Sequence, residues 1–179
     1  MNDPFIERVE KSCTALLDLY NSFPREVLVQ ATLRNRTVKE QLAELAGWTW
    51  RCAAIVKAAR QTDTPLLASP DIDGLRREYY QNSQKLSWLG VEHDYRQAQQ
   101  ALLRVLHHLP AERRQARLIQ QTVSQEVLNR NAHFSAELEQ ACHLNNRPLC
   151  TAEPEPSQFS PTMLRLSKLK TLTVHFIET

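Results

Sequence analysis

The chain has 179 residues, enough for one domain with a sizeable core, and its 42% hydrophobic and 23% charged residues are the balance of an ordinary globular protein. Three glycines disfavour a turn-rich β architecture and any glycine-rich phosphate loop, and a net charge of +2 with a pI near 8.4 is too mild for the concentrated basic face of a nucleic-acid binder. Met1-Asn2-Asp3-Pro4 carries no cationic region ahead of an apolar run, and no apolar stretch approaches ~18 residues, so neither a signal peptide nor a membrane span is predicted and a cytoplasmic protein is expected.

In chain order, Phe5, Val9, Cys13, Leu16 and Tyr20 recur at spacings of three and four, the mark of an amphipathic helix. Asp3 and Pro4 are its predicted N-cap and first-turn proline, and it should end before Phe23-Pro24. Residues 25–36 read as a connection with some extended structure. Thr37 and Glu40 form a capping box for a second helix reaching about Gln61, with Leu42, Leu45, Ala46, Thr49, Ala53 and Val56 inside. Pro65 and Pro70 mark a loop over residues 62–73. Helical character returns from Gly74 to Leu86, and Trp88-Leu89-Gly90 reads as a kink or short break. A third long helix carries Val91, Tyr95, Ala98, Leu102, Leu106 and Leu109 and stops at Pro110. After a short turn of helix within residues 111–121, Thr122 and Gln125 resemble a capping box for a fourth, with Val127, Phe134 and Leu138 on its core side. Four prolines between residues 145 and 161 predict an irregular linker. Beyond it, a short helix from Ser160 and an alternating end over residues 171–177 are expected.

Four long amphipathic helices joined by connections of this kind predict an all-α protein, an up-and-down four-helix bundle over residues 1–145 with extra short helices. Residues 146–179 would form a Pro-rich linker and a tail packing on the bundle or on a partner. The spacing of Cys13, Cys52, Cys142 and Cys150 matches no zinc pattern. The first three fall near apolar stripes and read as reduced, small hydrophobes.

Helix two reads Thr37-Val-Lys-Glu-Gln-Leu-Ala-Glu-Leu-Ala-Gly-Trp48. This resembles the helix-two signature of the DinB-like superfamily and of its ClbS/DfsB branch. Glu92 to Leu109 is similar to that branch's third helix, and Val127-Leu-Asn-Arg-Asn-Ala-His-Phe-Ser-Ala-Glu137 to its fourth. The resemblance covers roughly residues 3–143. It implies a four-helix bundle that binds a small molecule and hydrolyses or sequesters it in a protective, detoxifying role. Relatives of this kind commonly hold a divalent metal on three histidines, one on helix two and two spaced i, i+4 on helix four. The matching positions here are Glu44, His133 and Glu137, so one histidine of three remains. Some relatives are metal- and thiol-dependent transferases, but the ClbS type is described as acting without the triad.

Two site readings therefore stand side by side. In one, Glu44, His133 and Glu137 form a two-carboxylate, one-histidine set for Zn, Mn, Fe or Ni. In the other no cofactor is needed and Glu44 is the candidate base beside Trp48, with His133 and Glu137 as catalytic partners. A blander possibility is that these are polar residues flanking packed helices, with Glu137 paired to an arginine. Trp48, Tyr79, Tyr80 and Trp88 are candidate ligand-binding aromatics, and Trp48 and Trp50 should point to different faces. His107 and His108 sit where protonated histidines favour a helix C-terminus. Arg34, Arg36, Arg113, Arg114 and Arg117 form basic loops, read as solvated charge or as anion-recognition residues. G-x-S-x-G, HExxH, P-loop and GxGxxG motifs are absent. A small-molecule ligand and a homodimer are the expected partners, nucleic acid and membrane are not, and a non-catalytic interaction module is the reading from a different class.

Overall fold

A carboxylate and a proline start the first helix. Asp3 Oδ1 accepts from the backbone N–H of Phe5 at 2.9 Å, Pro4 stands where no donor is needed, and α1 runs Pro4–Ser22. In the computed structural model of the protein, residues 3–59 and 71–145 are described, and they lie within one unit, Met1–Arg147. Of the predicted loop over 62–73, residues 62–70 lie outside the described residues while Ile72 and Asp73 are already helical, and the linker and tail expected over 146–179 lie entirely outside them.

Among the described residues the structure is all-α apart from one small hairpin. The segment 25–36, expected as a connection, folds further than its sequence suggested. Pro24 precedes a short helix, α2 (Arg25–Gln30), whose Leu28 is buried. β1 (Thr32–Leu33) then pairs antiparallel with β2 (Arg36–Thr37), Thr32 opposite Thr37 and Leu33 opposite Arg36. The loop between them is Arg34-Asn35, with φ of 51° and 63°. Positive φ at both central residues is the type I′ arrangement, which matches the twist of the flanking strands.

Thr37 closes the hairpin and opens α3 (Val38–Ala58) through a capping box satisfied on both sides. α4 (Ile72–Lys85) starts at Asp71, whose side chain accepts from the N–H of Gly74. α5 (Trp88–His108) is capped by Ser87, so Trp88-Leu89-Gly90 is its first turn and not a break. α6 (Ala111–Gln115) is a single short turn.

The fourth long helix differs from expectation at its start. Thr122 does not cap it: the residue is buried within a continuous helical run. That run begins at α7 (Arg117–Val123), passes through a π-helical turn at Ser124–Leu128 and continues as α8 (Asn129–Asn145). Val123, Ser124 and Asn129 all keep right-handed helical dihedrals, so the axis is not interrupted. The break falls instead at Ala116, whose backbone is extended. Thr122-x-x-Gln125 imitated a box, but the buried Ile119 and Val123 carry the apolar stripe through it.

α3 packs most extensively along α5, α1 lies on α8 and α5, and α4 covers α3. Two apolar clusters result. One gathers Leu16, Tyr20, Leu42, Val91, Phe134 and Leu138; the other gathers Phe5, Val9, Val56, Leu102, Leu106 and Val127. A neutral polar network links them. The Tyr95 hydroxyl donates to Asn131 Oδ1 at 3.1 Å, and Asn131 Nδ2 reaches Ser12 Oγ at 3.4 Å and Cys13 Sγ at 3.8 Å. Gln99 Nε2 donates to the Cys13 carbonyl. Cys13, Cys52 and Cys142 are buried free thiols, and burial pushes the first two up to about 11 and about 12. Among the described residues, no helix is long and apolar enough to cross a membrane.

Candidate functional site

Glu44 and Trp48 stand one helical turn apart on α3, so both side chains project from one face. Both are buried, at 9% and 1% exposure. The Trp48 indole N–H donates to Glu44 Oε1 at 3.1 Å. Burying a carboxylate demands partners, and two guanidiniums supply them. Arg36, from β2, donates to Oε2 at 2.7 Å, and Arg76, from α4, donates to Oε1 at 3.1 Å. The capping box sets where α3 begins relative to the hairpin, which brings Arg36 within reach.

α8 supplies the opposite wall. Arg130, His133 and Glu137 recur at spacings of three and four and share one stripe. The Arg130 guanidinium stacks on the Trp48 ring at 3.9 Å from its centroid, close enough for a strong cation–π contact. His133 Nε2 lies 3.1 Å from Glu137 Oε1. Arg34 Nε reaches the same Glu137 oxygen at 2.5 Å, and its Nη2 meets His133 Nε2. A small cavity of about 70 Å³ opens among these groups, lined by Glu44, Trp48, Arg34, Arg76, Arg130 and the His133/Glu137 pair with their neighbours.

The structure thus brings Glu44, His133, Glu137 and Trp48 to one cavity. It does not gather the other aromatics there. Tyr79 touches the site from behind, packing edge-on to Trp48 with centroids 5.5 Å apart and planes at 79°. Burial pushes its phenol up. Its ring lies over Gly47, where an added Cβ would come within 2.5 Å of it, so only glycine on α3 lets α4 approach this closely. Tyr80 is 43% exposed and faces a separate cavity beside the hairpin with Arg77. Trp88 packs against the core under the Arg25 guanidinium, 5.0 Å from its ring centroid. Trp50, as expected, faces away from Trp48; it is 40% exposed and donates to Asp94.

The metal reading fits this arrangement poorly. Glu44 already accepts from two guanidiniums and an indole N–H, and Arg34 lies on the His133 and Glu137 atoms that an ion would need. Among the described residues, no three His, Cys, Asp or Glu side chains are placed to hold one ion. Glu137 pairs with an arginine, as the blander alternative had it.

Sequence reasoning missed Arg76 and Arg130 and read Arg34 and Arg36 as basic loops, with solvated charge or an anion-recognition role, without linking them to Glu44 or Glu137. A signal was present for Arg130, which falls on the stripe of His133 and Glu137. None was present for Arg76, whose place depends on how α4 docks. Elsewhere, His108 Nδ1 lies 2.6 Å from the Arg104 carbonyl and His107 Nε2 lies 3.4 Å from Glu10 Oε1, both at the end of α5. Arg114 pairs with Asp3.

No family model, curated protein or solved structure matches the chain.

Proposed function

We propose that this chain is a small-molecule-binding four-helix bundle of the DinB-like kind, on the ClbS/DfsB side of that superfamily, with its ligand site at the Glu44–Trp48–His133–Glu137 cavity. One observation carries the reading: polar residues from α3, α4, α8 and the hairpin converge on a single concavity against a buried indole. An interaction module would instead scatter them over a surface beside an apolar patch.

Binding is favoured over hydrolysis. A carboxylate offers about four acceptor positions, and Glu44 already receives three donors, from Arg36, Arg76 and Trp48. A general base must reach the proton it takes, and this carboxylate is engaged as a structural acceptor. Sequestration of a reactive or toxic small molecule would give the protective role that the sequence resemblance implies. Hydrolysis would first require Arg76 to leave.

The reading is tested in a variant whose sole tryptophan is Trp48, made by Trp50→Phe and Trp88→Phe. Small molecules that bind the cavity should quench or shift Trp48 emission saturably. The effect should weaken with Glu44→Gln and with His133→Ala. Ligands that bind with unchanged affinity to both variants would place the site elsewhere and refute the assignment.

A further inference from the structure

The geometry points to an oxyanion subsite in the Trp48 cavity, in which Arg130 and Arg34 would receive a carboxylate or phosphate group of the ligand. This rests on the cavity being the ligand site, and it names the chemistry of what the cavity holds.

The charge balance is the first argument. Three guanidiniums line the cavity, those of Arg34, Arg76 and Arg130, and a fourth, Arg36, meets Glu44 beside it. Three carboxylates answer them: Glu44 for Arg36 and Arg76, Glu137 for Arg34, and Glu126 for Arg130. One positive charge is left over, His133 aside. A partly desolvated guanidinium without its own counter-charge is costly, and a planar or tetrahedral oxyanion is its best-matched partner.

The second argument is the state of Arg130. Its Nη2 reaches Glu126 only at 3.3 Å, and its Nε is buried with no hydrogen-bond partner. Stacking on Trp48 fixes the plane of the guanidinium while satisfying none of its N–H groups, so the group is oriented but under-used. Buried polar groups are nearly always paired, so Arg130, which lines the cavity, has hydrogen-bonding capacity left unused.

The third argument comes from the hairpin. Arg34 has φ of 51°, a left-handed conformation that a long side chain seldom adopts. A type I′ turn favours Asn, Asp or Gly at both positions, and Asn35 complies while Arg34 does not. Its guanidinium lines the cavity and lies on His133 and Glu137. Backbone strain of this kind gathers at functional sites. The cavity, at about 70 Å³, exceeds the space that a single water needs and suits one small oxyanion group.

The test is isothermal titration of the full chain with inorganic phosphate and, separately, with acetate, ionic strength being held constant with sodium chloride. Saturable, near-equimolar binding of one of them is expected, and which one binds tells phosphate-bearing from carboxylate-bearing ligands. Arg130→Met should weaken it at least about tenfold. Arg34→Gly should weaken it comparably while relieving the turn, so loss of binding there cannot be ascribed to a damaged fold. Tyr95→Phe, outside the cavity, should leave it unchanged. Absence of saturable binding of either anion overturns the subsite, as does equal binding by the wild type, Arg34→Gly and Arg130→Met. If neutral compounds still perturb Trp48 emission in a Glu44-dependent way while neither anion binds, only the subsite fails and the cavity reading stands.

Discussion

Two polar clusters among the described residues are built on opposite terms. The Tyr95–Asn131–Cys13–Gln99 network is neutral, closed and linked to both apolar clusters, and each of its bonds joins one long helix to another. The Glu44–Trp48–Arg130–His133–Glu137 cluster is charged, opens on a cavity and draws partners from the hairpin and from α4. A neutral network that is fully paired specifies how helices fit together. A charged cluster with one guanidinium in excess and one unpaired donor has capacity to spare. The first is organised as architecture, and the second is the proposed ligand site.

The largest effect should come from opening the neutral network. Asn131→Ala leaves the buried Tyr95 hydroxyl without its acceptor and creates a gap, so unfolding in urea should reveal a loss of about 2–3 kcal/mol. Burial holds the Tyr95 phenol above its usual range, so it offers no alternative as an ionised acceptor. A loss near zero would mean that the network contributes little.

The charged cluster should respond more mildly. Glu44→Gln keeps the volume but removes the charge that answers Arg36 and Arg76. Those arginines are partly exposed, at 35% and 42%, and solvent screens the loss. About 1 kcal/mol is expected, together with altered Trp48 emission because an amide replaces the carboxylate acceptor. Gly47→Ala tests how α4 is seated. Helix propensity alone would favour alanine by about 1 kcal/mol, but the new Cβ meets the Tyr79 ring at 2.5 Å. The clash should prevail, with faster hydrogen exchange in α4 and little change in α5. Unchanged exchange would show that Tyr79 can move aside freely.

The smallest effect is at the start of the chain. The Arg114 side chain, with the N–H of Phe5, holds the Asp3 carboxyl below its ordinary value. A depressed carboxyl pKa stabilises the fold above the unfolded value near 4 and loses that contribution as pH falls through the lowered one. Asp3→Asn should therefore cost a few tenths of a kcal/mol near neutral pH and flatten the acid limb of the stability curve, because asparagine still caps the helix but forms no ion pair. An acid limb identical to that of the wild type would contradict this.

Much of the fold was legible because its signals are local. Asp3-Pro4, Thr37 with Glu40, and Pro110 mark helix ends through bonds made within one turn. The apolar spacing of Phe5 to Tyr20 or of Val91 to Leu106 requires only helical geometry. The start of the fourth helix was not legible, because Thr122-x-x-Gln125 satisfies the pattern of a cap while tertiary burial keeps Thr122 inside a continuous helix. The hairpin was hidden by Arg34-Asn35, which lacks the glycine that signals such a turn. Within the candidate site, Glu44, His133 and Glu137 were singled out because they fall at the positions matching the histidines of the resembled family. Their arginine partners come from separate elements, and no spacing along the chain records that meeting.

The most direct test sets the two clusters side by side: the rise in melting temperature with phosphate and, separately, with acetate, at constant ionic strength, for the wild type, Tyr95→Phe and Arg130→Met. The account predicts that one of the two anions raises the melting temperature of the wild type, that Tyr95→Phe melts lower than the wild type yet keeps the full rise with that anion, and that Arg130→Met loses it. Equal rises in both variants, or none in either variant or in the wild type, would contradict the division between a cluster that holds the fold and a cluster that holds a ligand.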